Sequence, residues 1–197
     1  MNRHITRHTP HGSLRGWLER PELPSCLILI VRPHLGTADT AMASELAMRG
    51  CAVFVTELLS ASEIGFADAT QNVPRLTQRL IDVLDLIRSD GDMEQLPLGI
   101  FATGDIAPAA IRAAAQRDSQ VDAVACHGGL IDRAGGQALD LLLAPLLVLH
   151  DADDAAGLTA SRRATGHLHN DHEIRTLRPG DAALTEAADW LIHRLLR

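Results

Sequence analysis

The sequence predicts an α/β protein: a mixed, mainly parallel sheet with a leading antiparallel hairpin and helices on both faces. Three observations carry this. Two short alternating segments stand at the start, on either side of Pro10-His11-Gly12. Continuous apolar runs such as Cys26-Leu-Ile-Leu-Ile-Val31 follow, the pattern of strands buried on both faces. Helical periodicity then alternates with such runs to the end, the order that builds parallel sheets.

Taken in order, residues 5–9 and 13–19 flank a turn-forming tripeptide and read as a hairpin. After the loop at 21–24, residues 26–31 form the first buried strand. A helix over 39–49 stops at Gly50, and the strand 51–56 follows at once. Between 73 and 89, Leu76, Leu80, Ile81, Leu84 and Ile87 recur at helical spacing, which lays one face of that helix on the sheet. Then come a strand at 98–102, an alanine-rich helix to 115, and strands at 121–126 and 145–150. A further helix, a strand at 173–177 and a last helix over 182–196 close the chain, the last burying Leu184, Ala188, Leu191, Ile192 and Leu195. No internal repeat or second domain is visible, so 1–197 reads as one domain.

Composition bounds the function. With 197 residues and 46% hydrophobic content the chain can bury a substantial core, and no apolar run is long enough to cross a bilayer. The polar start from Met1 to His8 carries no hydrophobic signal region, so a cytoplasmic location is expected. The net charge of -7, with 18 arginines scattered along the chain and no lysine, speaks against nucleic acid as a partner, and no membrane partner is expected. Without lysine there is no Schiff base and no Walker-type phosphate loop; without tyrosine there is no phenolic acid. The three cysteines show no CxxC spacing. Cys26 and Cys51 open apolar runs and Cys126 closes one, the placement of small buried hydrophobes.

In parallel sheets the ligand site lies beyond the carboxyl ends of the strands. The residues expected there are Arg32, Pro33 and His34, then Gly104 and Asp105, then His127, then His150 with Asp151, Asp153 and Asp154. The segment 98–115 reads as strand, sharp turn and helix, and its turn holds Gly104 where no serine or cysteine stands.

The element order, the phrase at 98–115, Cys126-His-Gly-Gly129 with Asp132, Leu146-Leu-Val-Leu-His-Asp-Ala-Asp153 and Ala187-Ala-Asp-Trp-Leu191 together resemble the α/β-hydrolase superfamily, within it the dienelactone-hydrolase-like branch. The resemblance covers nearly the whole chain and implies the α/β-hydrolase fold. In that family a serine sits at the turn, an acid follows the later strand and a histidine precedes the last helix. Here the resemblance puts Gly104 in the serine position, Ile106 in that of the second glycine and Asp153 in that of the acid. The histidine loop, at 178–182, holds no histidine, and the oxyanion phrase is reduced to Arg32-Pro-His-Leu-Gly36.

Losing a triad nucleophile costs on the order of 10⁶ in kcat, so serine-type turnover is expected to be negligible. The first expectation is therefore a non-catalytic protein that binds a small molecule or another chain, through His34, Gly104, Asp105, Ile106, His127 and His150. The alternative is a hydrolase of a small ester, lactone or halide, with Asp105 as carboxylate nucleophile and Asp153 and His127 completing the catalytic set. His34 and His150 are the other candidate bases. Asp105 has a structural reading as well, a cap for the helix that starts at Ile106. Cys126 cannot easily work with His127, because adjacent strand residues point to opposite faces.

His34, Asp105, His127, His150, Asp151 and Asp153 mix ligands that suit zinc, but no spacing demands it, and the expectation is no metal and no cofactor. The run His167-Leu-His-Asn-Asp-His172 reads as a solvated loop. Residues 57–72 are long enough to act as a lid. An imidazole beside Asp105 or Cys126 would favour an enzyme; a cleft filled by Ile106 and Leu35 would favour binding. A homodimer is the expected assembly.

Overall fold

The computed structural model describes residues 2–34 and 36–197 of the chain. β1 (Asn2–Thr9) and β2 (Gly12–Glu19) form the expected hairpin, with Asn2 opposite Glu19 and Thr9 opposite Gly12. The remaining strands are β3 (Cys26–Arg32), β4 (Cys51–Glu57), β5 (Leu98–Thr103), β6 (Ala123–His127), β7 (Leu146–His150) and β8 (His172–Thr176). They form one sheet in the order β1-β2-β4-β3-β5-β6-β7-β8. β2 is antiparallel to both of its neighbours, and every pairing from β4 to β8 is parallel. This is the α/β-hydrolase architecture expected from the sequence.

The helices are α1 (Thr37–Met48), α2 (Val73–Arg88), α3 (Ala107–Gln116), α4 (Gly136–Leu141), α5 (Ala155–Thr165) and α6 (Ala183–Leu195). The strand side chains alternate between two apolar layers, as period-two geometry requires. Leu27, Leu29, Val31 and Ile100 face Leu76, Leu80, Leu84 and Ile111 of α2 and α3. Ile28, Ile30, Val53 and Phe101 face Ala43 and Leu46 of α1 and Ala187 and Leu191 of α6. Among the described residues no helix is long and apolar enough to cross a membrane.

Chain order turns at the centre of the sheet: from β3 the chain passes to β4 on one side, then returns to β5 on the other. The crevice at such a reversal opens beyond the carboxyl ends of β3 and β5. Arg32 and Gly104 therefore flank it.

The segment 57–72, expected to serve as a lid, is stapled down. Arg79 points from α2 under it, with its side chain 6% exposed, and makes a two-point ion pair with Glu63 at 2.8 and 2.9 Å. The same guanidinium donates to the carbonyls of Leu58 and His11 at 2.6 and 2.8 Å. Arg79 holds the Glu63 carboxyl at about 2, well below the usual carboxylate range, and the Ser60 amide adds to the effect.

Candidate active site

β5 ends at Thr103 and the chain reverses at Gly104, whose φ is +54°, before a single 3-10 turn, Gly104–Ile106, leads into α3. A side chain at position 104 would meet no atom within 4 Å. The turn thus has a left-handed backbone and free space at its tip. Gly129, after β6, backs directly onto it: a Cβ there would stand 2.1 Å from the Gly104 carbonyl oxygen, and its own φ is +90°. Only glycine permits that approach.

Asp105 does not cap α3, as one sequence reading had it; no side-chain cap bond is formed at that helix start. Its carboxylate accepts hydrogen bonds from Thr70 Oγ1 at 2.7 Å and Gln71 Nε2 at 2.9 Å. Arg133 holds the same loop from the other side, donating to Gln71 Oε1 at 2.5 Å and to the Gln71 carbonyl at 2.9 Å. The 3-10 turn explains the difference, because it moves the true start of α3 two residues beyond Asp105. The carboxylate is occupied in fastening the 57–72 segment to the strand end.

Ile106, expected in the binding set, is fully buried in the layer shared with α3. Leu35, its expected companion, lies outside the described residues. At the end of β3, Arg32 donates to Thr103 Oγ1 at 3.1 Å and sits 5.6 Å over the Phe101 ring. This puts a guanidinium beside the turn at Gly104. His34 is exposed two residues further on.

The histidines do not gather as expected. His127, opposite Thr103 in the β5–β6 register, has its Nε2 3.2 Å from Asp151 Oδ1. Asp153 makes no such contact with a histidine among the described residues, so the acid beside His127 is Asp151. His150 leaves the strand-end set: it is fully buried, with Nδ1 2.9 Å from Asp154 Oδ2 and Nε2 2.8 Å from Ser161 Oγ.

An ionised carboxylate only accepts, so Nδ1 of His150 carries the proton and, in the neutral ring, Nε2 accepts from the Ser161 hydroxyl. The Gly157 amide, followed by His150, holds the Asp154 carboxyl below its ordinary pKa. Serine, histidine and aspartate are linked here in the connectivity of a hydrolytic triad. Ser161 nevertheless lies on the inner face of α5 and is completely buried, so no carbonyl substrate can reach its oxygen. The relay is structural.

Cys126 is buried and unpaired by any disulfide, and desolvation pushes its thiol up to about 12, which leaves it unreactive. Among the described residues no group of three or more His, Cys, Asp or Glu side chains could hold a metal ion. In the 167–172 run, His167 Nδ1 lies 3.1 Å from Asp140 Oδ1 on the surface, and His172 begins β8.

Beyond β7 and β8 lies a cavity of about 240 Å³ lined by Asp151, Asp153, Leu177, Arg178, Pro179 and Asp181. Arg178 stands in the loop where the family resemblance looks for a histidine. The sequence reading missed both Arg178 and the Asp151 partnership. Their placement directly after strands β8 and β7 was the available signal.

No family model matches the chain. Two proteins of Mycobacterium tuberculosis, from strains CDC 1551 and H37Rv, are each 30% identical to it over 195 residues, covering 91% of this chain and 44% of their own length. Both are provisionally named phosphoribosyl transferases. The chain thus spans less than half of these relatives. Among solved structures, a dienelactone hydrolase from Anabaena variabilis superimposes with a TM-score of 0.86 at 23% identity, over 99% of this chain and 98% of the other. A dienelactone hydrolase-like promiscuous phosphotriesterase from metagenomic libraries gives 0.78 at 14% identity, over 98% of each chain. A cold-adapted esterase from an Arctic intertidal metagenomic library gives 0.76 at 13% identity, over 98% and 94%. The chain has the α/β-hydrolase fold.

Proposed function

We propose that this α/β-hydrolase-fold chain is a non-catalytic protein that holds a small molecule at its strand ends without cleaving it. The observation that carries the reading is the turn at Gly104: its left-handed φ of +54° and open space suit an exposed nucleophile, yet the residue has no side chain. The chemistry nearby supports it. Among the described residues no imidazole hydrogen-bonds Asp105, whose carboxylate is engaged by Thr70 and Gln71, and Cys126 is buried. A carboxylate nucleophile needs a histidine-activated water to release its ester intermediate. Arg32, His34, His127 and Arg178 supply donors for a polar or anionic ligand.

A second reading rests on one contact, His127 to Asp151 at 3.2 Å. An imidazole oriented by a carboxylate can act as general base toward water, and the ligand would then be a hydrolysed ester or lactone. The transfer named for the mycobacterial relatives is not carried over, since this chain matches 44% of their length. The expected homodimer belongs to the same proposal; light scattering on the purified chain tests it.

The binding reading is tested by incubating the protein with short-chain esters and lactones, recording amide chemical shifts and recovering the compounds. Shifts concentrated at residues 32–34, 104–105 and 127–129 with the compound recovered intact are expected. Product accumulating above the protein-free control would overturn the reading.

A further inference from the structure

Two of the three cysteines meet at the opposite end of the sheet from the candidate site. Cys26 opens β3 and Cys51 opens β4, and they are direct partners in the parallel register. Neighbouring strands stand about 4.8 Å apart, which falls inside the Cα separation that a disulfide spans, about 4.4–6.8 Å. The two Sγ atoms are 3.4 Å apart, with the Cys26 thiol donating to the Cys51 sulfur. We infer that Cys26 and Cys51 form a site of reversible thiol oxidation, closing to an intramolecular disulfide on exposure to a hydroperoxide.

Geometry makes the closure small. Bringing the sulfurs to bonding distance, about 2.05 Å, needs a displacement that side-chain rotation supplies without moving the strands. The two thiols also divide the work. The hydrogen bond from Cys26 lowers the pKa of Cys51, with Arg49 adding to the effect, while the same bond raises that of Cys26. Arg49 acts on Cys51, so in the proposed step Cys51 is the attacking sulfur.

Both side chains are fully buried, but the preceding Ser25 is exposed, and its amide and hydroxyl close the strand ends by donating to the Gly50 carbonyl at 2.9 and 3.1 Å. In the proposed step, opening these two bonds at the strand ends admits a molecule as small as hydrogen peroxide.

The step balances. Cys51 thiolate attacks one peroxide oxygen, the O–O bond breaks and hydroxide leaves, giving a sulfenic acid. The Cys26 sulfur then attacks the Cys51 sulfur and the S–O bond breaks. The departing hydroxide takes the Cys26 proton as water. Two thiols are oxidised by two electrons and one peroxide is reduced to two waters. A thiol reductant reverses the change by exchange. Cys126, alone in the core and pushed up to about 12, has no partner and stays reduced.

The test treats the purified chain with hydrogen peroxide, blocks remaining thiols under denaturing conditions and reads intact mass and tryptic peptides. Arg32 is followed by Pro33 and is not cut, but cleavage between Arg49 and Gly50 alone places Cys26 and Cys51 in separate peptides, so a cross-link is unambiguous. The expected result is loss of two of the three thiols, a mass lower by two hydrogens, and a linked peptide pair that dithiothreitol separates. Cys126→Ser is expected to behave as the parent, and Cys51→Ala to form no link. Three intact thiols, or oxygen adducts on single cysteines without a linked pair, would overturn the inference.

Discussion

The backbone of Gly129 lies against the carbonyl of Gly104 so closely that a methyl group at position 129 would stand 2.1 Å from the carbonyl oxygen. The loop after β6 therefore fixes the turn after β5. Gly129→Ala is expected to destabilise the fold by more than about 2 kcal/mol, since it combines a backbone clash with a left-handed φ of +90°. Gly104→Ala adds a methyl into open space and is expected to cost no more than about 1–2 kcal/mol, the left-handed penalty alone. Urea denaturation of the two variants measures the difference; equal losses would show that the contact is not what shapes the turn.

Ser161 completes a buried relay with His150 and Asp154. Ser161→Ala leaves a fully buried imidazole nitrogen without its partner, so a loss of about 1–3 kcal/mol in stability is expected. Thermal and urea unfolding measure it. Ligand-induced shifts at the strand ends should not change, because the relay is buried between the end of β7 and the inner face of α5 and not in the crevice.

Asp105 acts as a fastener for residues 57–72. Asp105→Ala and Arg133→Ala each remove one side of the grip on Gln71, so hydrogen exchange over residues 66–72 is expected to accelerate in both variants. Exchange in α3 should be unchanged, since Asp105 does not cap it. Faster exchange at 107–110 in Asp105→Ala would restore the capping role.

Acid stability follows from two carboxylates. Glu63 is held at about 2 chiefly by Arg79, and Glu173 at about 2 chiefly by the Trp190 N–H, against an ordinary value of 4.5. Both folded values are depressed, so the unfolded chain binds more protons in between. The stabilisation is complete above about pH 4.5 and is lost as pH falls toward 2. Glu63→Gln is expected to cost about 2 kcal/mol at neutral pH, leaving a nearly buried guanidinium short of its counter-charge, and to flatten the acid limb of the stability profile. Denaturation midpoints from pH 7 down to 3 measure both effects.

The fold was legible because its signals are local. Runs such as Cys26 to Val31 mark doubly buried strands, and the 3.6-residue recurrence from Leu76 to Ile87 marks α2. Those features require the β/α alternation whatever the site does. Short α4 was not legible: Gly136–Leu141 is less than two turns and shows no full period. The site was only partly legible, because its contacts join distant parts of the chain. Asp105 meets Thr70 and Gln71 across about 35 residues, and no periodicity announces that. Arg79 sits on the apolar face of α2, where a helical wheel reads it as an exception and only the loop above it explains the charge. In sequence His150 stands as a strand-end group, yet Asp154 four residues on and Ser161 eleven residues on turn it inward.

Binding without cleavage is checked by the hydrolysis rate of short-chain p-nitrophenyl esters with the native chain beside His127→Ala and Asp105→Ala. All three are expected to run at the rate of buffer alone. Turnover well above buffer in the native chain that disappears in His127→Ala would contradict it and assign a general base to the His127–Asp151 pair; disappearance in Asp105→Ala would contradict it in favour of the carboxylate nucleophile.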